Sequence, residues 1–139
     1  MLHEFIVGSD ENQNGGNTMS ELEKPVRTLA LFSRKEGMSF AQFDAYWRDV
    51  HAPLAAQLPG VTKYVQRHVV PSSPDGEPDN GFGVDGIAQL EYESMEAMEA
   101  AWAGEEGQKA LADVPNFIGK HFVLILEDYV VVDNEEGTK

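Results

Sequence analysis

Apolar residues along the chain recur with two different periods, and the alternation between them lays out the elements. Residues 26–33, VRTLALFS, are apolar with little interruption and predict a β-strand closed by the turn segment 34–37. Ser39 then has Gln42 three residues on, a capping box, and Met38 before the cap can staple onto Phe43. Phe40, Phe43, Trp47, Val50 and Leu54 follow at spacings of 3, 4, 3 and 4, the inward stripe of an amphipathic helix. Pro53 disfavours helical geometry at Ala52 and lacks a donor, so the helix should kink or restart there, and Pro59-Gly60 ends the unit. Residues 61–70, VTKYVQRHVV, predict a second strand, 71–84 a loop longer than ordinary connections, and 86–93, GIAQLEYE, a third strand. Ser94 opens a second helix with Met95, Met98 and Trp102 on one face, interrupted between Gly104 and Gly107 and resumed up to Pro115. Residues 121–132, HFVLILEDYVVV, predict the last and most apolar strand.

The resulting order, β-α-β-β-α-β, is the ferredoxin-like split βαβ pattern: an α+β fold with a four-stranded antiparallel sheet and both helices on one face. A sheet with one wet face should alternate apolar and polar residues. Strand 26–33 instead places Leu29 and Leu31 on one face and Ala30 and Phe32 on the other, and 122–126 is apolar on both faces as well. No further element of the chain remains to cover the second face, so the pattern predicts a homodimer joined through it.

Composition narrows the function. At 139 residues the chain fits one domain, too short for a dinucleotide-binding domain plus a substrate domain. The absence of cysteine removes disulfides, thiolate nucleophiles and iron–sulfur ligation. Asp and Glu number 24 against 10 Lys and Arg, a net charge of −14, which argues against nucleic-acid and anionic membrane surfaces as partners. The segment before Met19 is Gly/Asn-rich and has no basic n-region, so residues 1–18 are expected to be an extension outside the fold. The domain is then expected over 19–132 with a solvated acidic tail over 133–139, and a cytoplasmic location follows from the lack of a secretory signal. No HExxH or HxxxH pair fixes a metal locally, and no GxGxxG or phosphate loop is present, so neither metal nor cofactor is expected.

The run Phe43-Asp44-Ala45-Tyr46-Trp47-Arg48-Asp49-Val50-His51-Ala52-Pro53-Leu54, followed by Leu58-Pro59-Gly60-Val61 and Tyr64, resembles the EthD family. So does the second helix, with Glu-Gly-Gln at 106–108 and Asp-Val-Pro-Asn-Phe at 113–117. The resemblance covers about residues 26–132 and implies the dimeric α+β barrel, two such sheets face to face. Relatives on this fold include lactone isomerases, cofactor-free monooxygenases, polyketide cyclases and haem enzymes, so the reaction has to be argued from the site.

His51 is the first candidate for acid–base work: it ends the first helix, where the dipole favours a protonated imidazole. The competing reading is a lock at the Ala52-Pro53 kink. Tyr64, Gln66 and His68 share one face of the second strand, with Tyr64 and His68 about 13 Å apart along it. Tyr64 could donate to a substrate oxygen, and His68 could be a second acid or base, though either could simply satisfy a buried partner. Tyr46, Trp47, Gln66, Trp102 and His121 are candidates for the pocket wall. For the tryptophans a core role outweighs stacking on a ligand, and for His121 an exposed strand start outweighs contact with one. Asp44 and Arg48 form an i,i+4 pair that either orients His51 or makes a solvated face. The expected function is a cofactor-independent enzyme moving a proton on a small aromatic, lactone or polyketide-like molecule, as an isomerase, cyclase or lyase. The alternatives are a non-catalytic accessory binding protein of a degradation pathway and a cofactor-free monooxygenase.

Overall fold

The computed structural model describes residues 24–72, 74–78 and 80–134. The extension expected over residues 1–18 lies outside the described residues, as do residues 135–139 of the expected tail. Four strands, β1 (Val26–Arg34), β2 (Val61–His68), β3 (Gly86–Tyr92) and β4 (Ile118–Leu126), form one antiparallel sheet in the order β2-β3-β1-β4. The order of elements is the one the hydrophobic pattern predicts, and the α+β ferredoxin-like arrangement follows from it.

The first helical unit is built differently from the expectation. Helix α1 (Phe40–Tyr46) has the capping box at Ser39 and Gln42, but it runs into a π turn, Trp47–His51, before a last α turn, α2 (Ala52–Ala55), that holds Pro53 in its first turn. A π turn spends an extra residue, so the inward face slips in phase. Beyond Trp47 the buried positions are His51 and Ala55, four residues apart each time, while Val50, expected inside, is 44% exposed. The wide turn therefore brings the histidine to the inner face.

Helices α3 (Met95–Ala103) and α4 (Glu105–Asp113) break at Gly104, as the glycines suggest. Gly107 lets α4 lie directly on the end of α3, because a Cβ there would sit 2.3 Å from the Ala101 carbonyl oxygen. Gly86 does the same under the rings of Trp47 and Phe32, both within 3 Å of where a Cβ would be. The core between helices and sheet is aromatic at its centre: Phe32, Phe43, Trp47 and Phe117 meet at centroid separations of 4.9–6.5 Å.

The last strand is offset. It was expected to open at His121 and run to Val132, but it opens at Ile118, after a 3₁₀ turn (Val114–Asn116), and ends at Leu126. The partner strand explains this: Leu126 pairs with Arg27, at the start of β1, and beyond that point no strand among the described residues is there to pair with. Tyr129–Val132 are accordingly exposed, Tyr129 to 90%.

Register sorts the side chains into two faces. Thr28, Ala30, Phe32, Ala88, Leu90, Tyr92, His121 and Val123 point to the helices. On the opposite face lie Leu29, Leu31, Ile87, Phe122 and Leu124, with Phe122 57% and Leu124 40% exposed. Beside them runs a polar ladder in which Arg67 donates to Gln89 (2.6 Å), Gln89 to Glu91 (2.8 Å) and Arg27 to Glu91 (2.9 Å).

Candidate active site

Between the sheet and the helices lies a cavity of about 890 Å³. Ala30, Phe32, Leu90, Leu111 and Val123 make much of its wall, and His51, Tyr64, Tyr92, Glu99, Gln108 and His121 bring polar atoms to it. Of the candidates from the sequence, His51, Trp47, Tyr64, Trp102 and His121 all line this cavity; Tyr46, Gln66 and His68 do not.

The π turn holds His51 with its ring packed on Phe117, 4.8 Å between centroids. Its Nδ1 lies 2.9 Å from Oδ2 of Asp113, the last residue of α4. Since a carboxylate only accepts, Nδ1 carries the proton and donates it. Nε2 has no partner among the described residues. Asp113 is itself held: the Tyr46 hydroxyl donates to Oδ1 at 2.5 Å and the Asn116 amide at 3.0 Å. Burial pulls the Asp113 carboxyl towards its neutral form, but donation from Tyr46, Asn116 and His51 outweighs it and keeps the carboxyl below its ordinary range. The same bond to Asp113, with burial, pushes the Tyr46 phenol up. Tyr46 thus serves the site from behind the histidine.

Sequence reasoning missed Asp113 as a partner. Its 62-residue separation from His51 gives no local signal. The one available clue was the Asp-Val-Pro-Asn-Phe run at 113–117, which supplies Asp113, Asn116 and the Phe117 ring together. Asp44, weighed as an orienter of His51, instead pairs with His68 at 2.5 Å and with Arg48 at 3.6 Å.

Two tyrosines face the cavity and differ in how their protons are used. Burial pushes both phenols up, and donation from neighbours offsets this in part: Gln66 and Trp47 for Tyr64, Trp102 and Thr28 for Tyr92. The Tyr92 oxygen accepts from the Trp102 indole at 2.9 Å, which ties the α3 tryptophan to the sheet and gives that indole a structural partner. The Tyr64 oxygen accepts from Gln66 Nε2 at 2.9 Å, and its own proton has no acceptor among the described residues. On the opposite side of the sheet's cavity face, His121 pairs in register with Phe32, and burial lowers its pKa so that the neutral ring is favoured.

Comparison with known proteins agrees with this architecture. The EthD domain model matches residues 35–121. An uncharacterized 11.0 kDa protein from the thcB-thcC intergenic region of Rhodococcus erythropolis is 34% identical over 88 residues, 63% of this chain and 81% of that protein. An EthD family protein of Bacillus halodurans has a crystal structure that superposes with a TM-score of 0.60 at 26% identity, covering 76% of this chain and 99% of its own. A hydroxynitrile lyase from Passiflora edulis (TM-score 0.58, 15% identity, 78% of this chain, 98% of its own) shares the fold. So does SnoaB, a cofactor-independent oxygenase from Streptomyces nogalater (0.53, 11%, 78% and 99%). Among the described residues no helix is long and apolar enough to cross a membrane. With the family model spanning most of the chain and the sheet order in agreement, this protein belongs to the EthD domain family.

Proposed function

We propose that the chain is a small homodimeric enzyme that moves a proton on a small aromatic, lactone or polyketide-like molecule held in the cavity, without a cofactor. The observation that carries the reading is the His51–Asp113 pair on the cavity wall, braced by Tyr46 and Asn116. Asp113 fixes the ring and its tautomer, so Nε2 is the nitrogen left to a bound molecule, and an ionised Asp113 stabilises the imidazolium that forms when Nε2 takes a proton. Proton removal from carbon leaves negative charge on a neighbouring oxygen, and the unspent proton of Tyr64 is a donor for it. The cavity's volume lies within the 300–1,000 Å³ typical of small-molecule sites. A hydroxynitrile lyase and a cofactor-independent oxygenase on the same fold support small-molecule chemistry in such a pocket, as analogy. The second copy is proposed to cover the apolar sheet face of Leu29, Leu31, Phe122 and Leu124.

The test is deuterium exchange. The full chain in D₂O is given an unsaturated γ-lactone, an enolisable aryl ketone and an aromatic cyanohydrin, and proton NMR follows exchange or breakdown. The reading expects one class to turn over, and His51→Gln to abolish turnover while keeping the fold. Tight binding with neither exchange nor breakdown would leave the protein a binding module. Oxygen uptake on a hydroxyaromatic probe would point to an oxygenase.

A further inference from the structure

Outside the cavity, four side chains are joined end to end: Asp44 on α1, His68 and Gln66 on β2, and Tyr64, whose ring reaches the cavity wall. Asp44 Oδ1 lies 2.5 Å from His68 Nδ1, His68 Nε2 lies 2.8 Å from Gln66 Oε1, and Gln66 Nε2 lies 2.9 Å from the Tyr64 oxygen. The direction of every bond in this chain is fixed by one atom outside it. Gln66 Nε2 also lies 3.0 Å from the backbone carbonyl of Trp47, which can only accept. That contact sets which end of the Gln66 amide is nitrogen, so its oxygen must face His68. Both ring nitrogens of His68 then face oxygens, and since an amide oxygen only accepts, Nε2 is the nitrogen that donates to Gln66.

The arrangement is anchored at each end. The His68 ring packs on Trp47, 4.4 Å between centroids, and Arg48 Nη1 stands 3.6 Å from the other oxygen of Asp44. The Trp47 carbonyl also accepts the Ala52 amide across the π turn, so the turn that places His51 and the relay that reaches Tyr64 share one backbone oxygen.

We propose that His68 is a positioning residue that acts through Gln66 to hold the Tyr64 phenol as a donor towards the cavity. With the Tyr64 oxygen already accepting from Gln66, the phenol is held with its proton turned to the cavity side. If His68 gave no proton to Gln66 Oε1, the amide would keep only the Trp47 carbonyl as an anchor and would hold its nitrogen on Tyr64 less firmly. The assignment deepens the proposed function, because it rests on Tyr64 being the donor to a bound oxygen. It also separates His68 from direct chemistry, since this histidine is not part of the cavity wall.

The experiment reads Tyr64 itself, in the full chain with no ligand. The protein has four tyrosines, so labelling with [ζ-¹³C]tyrosine gives four resonances, and Tyr64→Phe identifies the one that matters. His68→Leu and Gln66→Leu should each displace the Tyr64 resonance in the same direction by more than its linewidth, and the double variant should add nothing further. His68→Gln, which keeps a side-chain N–H for Gln66, should restore most of the position. The resonances of Tyr46 and Tyr92, which take no part in the chain, should stay in place as controls of the fold. A Tyr64 resonance unmoved in a folded His68→Leu variant, or two single displacements that sum in the double variant, would overturn the proposal. If His68→Leu does not fold, Asp44→Asn decides: it keeps the shape of the side chain, and a smaller displacement in the same direction supports the relay, while no displacement overturns it. Loss of turnover in Tyr64→Phe tests the catalytic reading separately, and either result is compatible with the relay.

Discussion

The two faces of the sheet are written by the same four strands, residue by residue in alternation, and they solve burial differently. Towards the helices, Phe32, Leu90, Tyr92 and Val123 meet Trp47, Trp102 and Phe117, and the polar groups there are mostly taken up: Asp113 by three donors, the Tyr92 oxygen by an indole, Gln66 by three partners. What is left over, Nε2 of His51 and the proton of Tyr64, borders the cavity. On the other face Leu29, Leu31, Phe122 and Leu124 are covered by no element among the described residues, yet the Arg67–Gln89–Glu91–Arg27 ladder beside them is internally satisfied. Unspent polar atoms on one face and unspent apolar area on the other mark chemistry and association respectively.

The largest effect should come from the cavity face. His51→Ala is expected to lower turnover by about 10²–10⁴-fold, the usual size of general acid–base catalysis, with His51→Gln nearly as inactive because it cannot relay a proton. Full activity and full stability in His51→Gln would reduce His51 to a lock at the helix end and collapse the contrast between the faces.

The open face is broken by a charge. In a dimer through that face, Leu124→Asp buries an unpaired carboxylate and should cost several kcal/mol, giving monomer or unfolded chain by light scattering and thermal melting. A wild-type protein that is monodisperse and monomeric at micromolar concentration would remove the second copy, and Leu124→Asp would then be nearly neutral.

How much of this was legible beforehand divides along the same line. The element order and the two-faced apolarity of β1 and β4 were readable, because period-2 and period-3.6 spacing are local properties of the chain. The phase slip that exposes Val50 and buries His51 was not, since a π turn leaves no mark on spacing until packing chooses the inner face. Nor was the end of β4: Tyr129–Val132 has strand composition, but a strand needs a partner, and β1 has begun by then. His51 and Tyr64 were found as residues; their partners Asp113 and Gln66 explain how they are held, and Asp113 reaches His51 only through the α3–α4 fold-back at Gly107.

Asp113 offers a middle-sized effect. Asp113→Ala leaves the donors of Tyr46, Asn116 and His51 without an acceptor; only His51 among them is buried, and one buried donor left unpaired should destabilise by about 1–3 kcal/mol. The pH dependence has a definite sign. The carboxyl is held below its unfolded value of about 3.9, so its contribution is complete above that pH and is lost as pH falls through the lower folded value. Denaturant midpoints measured below pH 4 should therefore fall more steeply in the wild type than in Asp113→Asn.

The smallest effect separates the two faces within a single strand. His121 looks into the cavity and its neighbour Phe122 looks out, so a change at 121 should leave association untouched. Burial lowers the His121 pKa in the folded chain, whereas the unfolded chain titrates near about 6.5. Over the interval between the two values the unfolded state binds more protons, so stability falls as pH drops below about 6.5 and levels off once the folded value is passed. This window lies above the one in which Asp113 acts, so the two can be read apart in one protein. Melting temperatures at pH 7.5, 6.5 and 5.5 should decline in the wild type, and the decline should be shallower in His121→Gln, with the dimer fraction by light scattering the same in both. Parallel declines would show that His121 is hydrated rather than held against the apolar wall, and the polar inventory of the cavity would then narrow to His51, Tyr64 and the groups that hold them.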